Sequence, residues 1–77
     1  MYYVYLIKSE SSGRFYVGST ADLRTRLYQH NKGQSTATKA YVPWSLVYYE
    51  AFLTKEIAIK RERSLKSYGR GLVELKK

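Results

Sequence analysis

The chain has 77 residues, 44% hydrophobic and 16% aromatic, with no cysteine. That leaves room for one domain (1–77) around one core, and it excludes a disordered chain, a disulfide scaffold and a thiolate metal site. Fourteen Lys and Arg against six acidic residues give a net charge of +8, a field suited to polyanions and to nucleic acid first. Without cysteine, any metal must be held by oxygen or nitrogen, so hard cations such as Mg2+ or Mn2+ come first. No apolar run is long enough for a bilayer, and the tyrosines and Lys8 near the N-terminus do not form a signal-peptide layout. A soluble, cytoplasmic protein with no membrane partner is expected.

Tyr2 to Ile7 is aromatic and β-branched, Ser9 to Gly13 is turn material, and Arg14 to Gly18 is again strand-like, which predicts an antiparallel hairpin. Tyr3, Tyr5 and Ile7 then share one face, as do Tyr16 and Gly18 on the partner strand. Ser19 to Asp22 supplies a capping hydroxyl and an early acid, Leu23 and Leu27 supply a buried stripe, and Asn31-Lys32-Gly33 a stop. The pattern predicts a helix from about Ala21 to about Lys32. Gln34 to Pro43 reads as a loop. Ser45 to Phe52 reads as a third strand, buried in part on both faces because its apolar run is nearly unbroken. Thr54 caps a second helix that Gly69 ends, and Leu72 to Leu75 has the pattern of a short third helix. The fold class is α+β, a small three-stranded sheet in β-β-α-β-α order with helices packed on it. The first helix is long enough to let the third strand pair in parallel with a hairpin strand.

Arg26 and His30 are four residues apart on the first helix and project together, a basic face beside the Leu23–Leu27 stripe. A surface arginine and a solvated or hydrogen-bonded histidine are the plain alternatives. Glu62 says more. On a helical wheel Ile57, Ala58, Arg61, Leu65 and Tyr68 make the inner arc of the second helix, and Glu62 falls between Ala58 and Ile59. A carboxylate there needs a partner, either Arg24, Arg26 or another arginine in an ion pair, or a divalent metal. Most of the nine tyrosines must pack the core, yet a phenol near cations can act as a general base. The basic surplus concentrates late: Lys55, Lys60, Arg61, Arg63, Lys66, Arg70, Lys76 and Lys77 stand against Glu56, Glu62 and Glu74. This is either a solvated helix face or a phosphate-binding one.

Taken together these residues resemble the GIY-YIG nuclease family. Tyr3-Val4-Tyr5 is similar to the GIY element, with Tyr3 in place of its glycine, and Tyr16-Val17-Gly18 is similar to the YIG element. Arg26 stands ten residues beyond Tyr16, where the family places its arginine. His30 follows one turn later, and Lys60 to Lys66 is similar to the helix that brings the family's metal-binding glutamate. Tyr28 to Gly33, Thr38-Lys39 and Leu46 to Glu50 resemble the small bacterial proteins that are little more than this domain. The resemblance implies a metal-dependent endonuclease acting on DNA, with RNA left open, and by fold-level analogy a link to repair or recombination. It implies that Tyr5 or Tyr16 helps deprotonate the attacking water, that Arg26 stabilises charge on the phosphate, and that Glu62 holds one divalent metal. His30 would accept a proton from a tyrosine, and Lys60, Arg61, Arg63, Lys66 and Arg70 would neutralise flanking phosphates. No DNA-binding domain accompanies the motifs, so a protein partner is expected to supply target recognition. The rival reading is a non-catalytic nucleic-acid-binding module that keeps the fold and charge, but such a module has no use for Glu62.

Overall fold

The computed structural model describes the backbone of residues 1–75 and the side chains of residues 1–67. The predicted hairpin forms from β1 (Tyr2–Ser9) and β2 (Phe15–Thr20), with Tyr5 opposite Gly18 and Ile7 opposite Tyr16. Its loop turns on Gly13, whose φ of +78° falls in the left-handed region that glycine enters without strain. The third strand, β3 (Trp44–Phe52), pairs with β1 on its other side, giving the order β2-β1-β3. This pairing is antiparallel throughout and does not take the parallel form that the sequence allows, with one register shift between Leu6 and Ile7. Because β2 and β3 both run antiparallel to β1, they are parallel to each other on either side of it, and the segment containing α1 is the crossover that carries the chain back past β1.

Strand order also corrects the burial expected of β3. The central strand is β1, where Val4, Tyr5 and Ile7 are essentially inaccessible, whereas Leu46, Val47, Tyr48 and Tyr49 of β3 are exposed. Both strands carry an unbroken apolar run, and such a run does not by itself say which strand gains two neighbours.

Helix α1 (Leu23–Asn31) starts later than expected because the acid itself is the cap: Asp22 accepts from the Thr25 amide at 3.1 Å and from the Thr25 hydroxyl at 2.8 Å. It ends as predicted at Gly33, where φ is +74° and the amides of Gly33 and Gln34 return to the carbonyls of His30 and Gln29. The predicted loop contains a single 3-10 turn, Lys39–Tyr41. Helix α2 (Lys55–Leu75) is capped by Thr54, whose hydroxyl accepts from the Ile57 amide. It runs through Gly69 and takes in the expected third helix, since a lone interior glycine costs a helix only about 1 kcal/mol.

The two helices take opposite faces of the sheet. Val4, Val17 and Ala58 form the core under α2, with Leu6, Phe52 and Leu65 around them. Tyr5, Ile7 and Trp44 form the core under α1, with Tyr16, Leu23, Leu27 and Tyr41 around them. Ile57, expected on the inner arc of α2, is half exposed, and the Tyr68 side chain lies outside the described residues. Each buried Val or Ile side chain contributes about 1.5–3 kcal/mol. The second core is unusual in also holding His30 and Thr38, both with no accessible surface. Among the described residues no buried side-chain nitrogen or oxygen lacks a hydrogen-bond partner.

Candidate active site

The site is built around β2, one of the two edge strands of the sheet. Paired residues on antiparallel strands point to the same face, so Tyr5, Gly18 and Tyr16 lie on the α1 side, while Ser19, opposite Val4, lies on the α2 side. Gly18 is what lets the Tyr5 ring cross its neighbouring strand. A Cβ at this position would collide with the Tyr5 hydroxyl and stand 2.6 Å from Cζ.

At the end of that passage the Tyr5 hydroxyl meets His30 Nε2 at 2.8 Å, and His30 Nδ1 meets Thr38 Oγ1 at 2.7 Å. His30 is therefore not part of an exposed basic face, as its spacing from Arg26 suggests; the last turn of α1 sinks into the sheet and buries it. The imidazole is held there from several directions. Tyr16 packs edge-on against it with ring centroids 5.2 Å apart, and Tyr16 in turn meets the Trp44 ring. Asn31 accepts from the Trp44 amide at 2.5 Å and donates to the Trp44 carbonyl, while the Trp44 indole donates to the Thr38 carbonyl at 2.9 Å. The hairpin loop closes the other side, with the buried Ser9 hydroxyl donating to the Tyr41 carbonyl at 2.6 Å. The end of α1, the 3-10 turn and the start of β3 are thus tied together around one histidine.

Burial favours the uncharged forms of both rings. It pushes the Tyr5 phenol up to about 12, against a hydrogen bond and the charge of Arg26, which favour the phenolate, and with help from Tyr16 and Glu62, which oppose it. It also brings His30 down to about 4, with the Arg26 charge acting in the same direction. These mutual influences put Arg26, Tyr16 and Glu62 within electrostatic reach of the Tyr5 hydroxyl. Arg26 itself is half-buried, and one guanidinium nitrogen donates to Gln29 at 3.1 Å.

Glu62 reaches the same edge from the α2 side. The Ser19 hydroxyl donates to Oε1 at 2.6 Å, and Lys66, one turn along α2, stands 2.8 Å from Oε2. Burial opposes the Glu62 charge, but these two bonds and the charges of Lys66 and Arg63 hold its carboxyl below the usual carboxylate range. The partner demanded by its place on the wheel is therefore a hydroxyl and a lysine, and neither Arg24 nor Arg26. Among the described residues no group of three or more His, Asp or Glu converges to ligate a metal. Glu62 fits a different donor set, one carboxylate beside the Ser19 hydroxyl with Lys66 as the cation it now pairs, and a single carboxylate is how Mg2+ is commonly held alongside waters and substrate phosphates.

The basic residues of α2 divide. Lys60 and Arg63 are exposed, Lys66 is committed to Glu62, and Arg61 makes a two-point ion pair with Glu50 at 2.6 and 3.1 Å. The Arg70 side chain lies outside the described residues. Sequence reasoning does not single out Thr38 or Ser19 as site residues. Thr38 enters the sequence reading only through the likeness of Thr38-Lys39 to the small bacterial proteins, with no role attached, and Ser19 reads as a helix cap until the hairpin register puts it on the face of Glu62.

With this geometry in view, the comparisons with known proteins agree with one another. Residues 1–71 match the GIY-YIG catalytic domain, and the chain belongs to that family. It is 41% identical to a UPF0213 protein of Staphylococcus aureus strain Mu50 and 40% identical to one of Staphylococcus saprophyticus. Each match spans 70 residues, 90% of this chain and 84% of the relative. No solved structure matches the chain. Membership implies nuclease-like phosphodiester chemistry on nucleic acid. Among the described residues no helix is long and apolar enough to cross a membrane.

Proposed function

We propose that the chain is a metal-dependent endonuclease acting on DNA, and that one observation carries the reading: Tyr5, Tyr16 and His30 form one contact cluster beside β2, and the charges of Arg26 and Glu62 act on the Tyr5 phenol. In this reading Arg26 meets the phosphate and stabilises the charge that grows on it. A divalent cation held at Glu62, Mg2+ or Mn2+, supplies further positive charge to the phosphate and the leaving oxygen.

Water activation belongs to the Tyr5–His30 pair. A phenolate at Tyr5 is disfavoured by burial, so the proton moves by relay. The water proton passes to the Tyr5 oxygen as the phenolic proton passes to His30 Nε2, and Tyr5 stays neutral. The water oxygen forms the new P–O bond as the P–O bond to the sugar oxygen breaks, and that oxygen takes its proton from solvent. A bound phosphodiester cancels the Arg26 charge that weakens His30 as an acceptor. Tyr16 orients the imidazole by edge-on packing. Lys60 and Arg63 contact flanking phosphates. A groove of about 490 Å3 between α1 and β3, with Tyr3, Tyr49, Leu46 and Arg24 in its walls, offers aromatic surface on which bases can stack.

The test is cleavage of single-stranded, duplex and branched DNA with Mg2+ or Mn2+ by wild type, Arg26→Ala and Glu62→Ala. Wild type should cut at least one substrate, and each variant should lose about 100-fold or more. A wild type that binds these DNAs but cuts none, like its two variants, would overturn the enzyme reading.

A further inference from the structure

We infer that Thr38 is a positioning residue of the site: its hydroxyl holds His30 in the tautomer with hydrogen on Nδ1, leaving Nε2 bare to receive the Tyr5 proton. The inference deepens the relay proposed above and rests on it for its catalytic consequence, but the tautomer itself follows from the two hydrogen bonds of the imidazole and from the greater acidity of the phenol.

The Tyr5 hydroxyl is buried, with His30 Nε2 at 2.8 Å and the charge of Arg26 acting on the phenol. A guanidinium can only donate. Arg26 therefore offers the phenolic hydrogen no acceptor, and among the described residues His30 Nε2 is the partner within hydrogen-bond distance. Either tautomer leaves one buried hydroxyl hydrogen, that of Tyr5 or that of Thr38, without the imidazole as its acceptor, and the phenol, much the stronger acid and the better donor, takes Nε2. Nε2 must then be the acceptor nitrogen of a neutral imidazole, whose single hydrogen sits on Nδ1. Nδ1 faces Thr38 Oγ1 at 2.7 Å, and a hydroxyl oxygen is free to accept it. Without that oxygen the Nδ1 hydrogen would be stranded, because His30 has no accessible surface. Each tautomer would then strand one hydrogen, Nδ1–H or the phenolic one, so the preference for Nδ1–H falls away and the Nε2–H form, in which the relay is blocked at its acceptor, becomes populated.

The fold gives the hydroxyl little freedom to drift. The Thr38 amide bonds the Ser35 carbonyl, and its carbonyl accepts from the Tyr41 amide and from the Trp44 indole. These are backbone contacts, which survive a change of side chain. When His30 takes the proton, the same Oγ1 goes on accepting from Nδ1–H and so favours the imidazolium.

The experiment uses 15N-labelled full chain. In wild type the His30 nitrogen shifts should report a protonated Nδ1 and an unprotonated Nε2 at neutral pH. Thr38→Val keeps the shape and removes the oxygen; it should move His30 toward the Nε2–H tautomer and lower cleavage on the order of 10- to 100-fold, the loss met when an outer hydrogen bond orienting a histidine is removed. Thr38→Ser should restore both the shifts and the rate. Wild type in the Nε2–H form would overturn the inference, as would a folded Thr38→Val that keeps the wild-type tautomer. If Thr38→Val does not fold, Thr38→Ser and wild type still decide it, since serine must keep the Nδ1–H signature. A wild type that cuts nothing would remove the nuclease reading alone, while a tautomer switch without loss of cleavage would remove the role of Thr38 in the relay.

Discussion

A histidine with no accessible surface makes stability depend on pH in a stated direction. Burial, aided by the charge of Arg26, lowers His30 from an ordinary 6.5 to about 4 in the folded chain. Between those values the unfolded chain binds a proton that the folded chain refuses, so acid favours unfolding. The stability that His30 contributes is complete above pH 6.5 and is lost as pH falls toward 4, a change on the order of 3 kcal/mol at about 1.36 kcal/mol per unit. Glu50 and Glu62, whose carboxyls are held low, add their losses only below about 4.5. Urea unfolding at pH 7, 5.5 and 4.5 should show the midpoint falling for wild type and nearly level for His30→Gln. A wild-type midpoint level across that range would contradict the burial of the ring.

Gly18 makes the second prediction at this scale. Its role is room for a side chain, since its backbone angles are ordinary for a strand. Gly18→Ala pushes a methyl group against the Tyr5 ring, a form of overpacking that costs about 1–3 kcal/mol, and it should lower cleavage by moving the hydroxyl off His30. Because the two positions share one clash, Gly18→Ala combined with Tyr5→Phe should destabilise by less than the sum of the single changes. Additive losses in a double-mutant cycle would mean that the ring does not lie over this glycine.

At the scale of elements, the end of α1 is where local geometry and chemistry meet. Gly33 takes the left-handed conformation that terminates the helix, and the bond from its amide goes to His30 itself. Gly13 in the hairpin loop has nearly the same φ, but its amide bonds the Ser9 carbonyl and not His30. Neither position would crowd an added methyl group, so alanine costs only backbone strain, roughly 1–2 kcal/mol at each. The two variants should therefore show similar midpoints in urea but different sites: Gly33→Ala should disturb the His30 15N signals and Gly13→Ala should leave them in place. Equal disturbance by both would mean that the helix end does not control the ring.

Those same elements explain what the sequence shows and what it hides. Turn glycines, the Thr54 cap and the strand pattern are local chemistry, so the element order and the α+β class are legible. Glu62 is legible too, because its place on an apolar arc is a local cost that demands a partner. The burial of His30 is not, since it depends on Thr38, Asn31 and Trp44 closing around it from three segments. The exposure of β3 is hidden for a related reason: strand order, a long-range property, decides which apolar run is central. Helix α2 passes through Gly69 because a glycine weakens a helix without being able to end it alone.

For the molecule as a whole, the question is which of its positive charges a nucleic acid would feel. A net charge of +8 predicts binding that weakens steeply with salt, each neutralised phosphate adding about 0.9 to the logarithmic slope on duplex DNA. The α2 residues are unequal in this respect. Lys60 and Arg63 are exposed, whereas Arg61 is held by Glu50, whose pairing raises the Arg61 pKa and lowers its own. Releasing Arg61 to a phosphate would leave the Glu50 carboxylate unpaired beside it, so the exchange gains little. Lys60→Ala and Arg63→Ala should each reduce the slope by close to one, measured by fluorescence anisotropy on a labelled duplex from 50 to 200 mM salt, roughly the range over which phosphate-dominated binding changes most. Arg61→Ala should leave the slope nearly unchanged, and Glu50→Gln should steepen it by freeing the guanidinium. Should Arg61→Ala flatten the slope as much as Lys60→Ala does, the Glu50 pair must open when nucleic acid binds, and the basic face of α2 would extend round to β3.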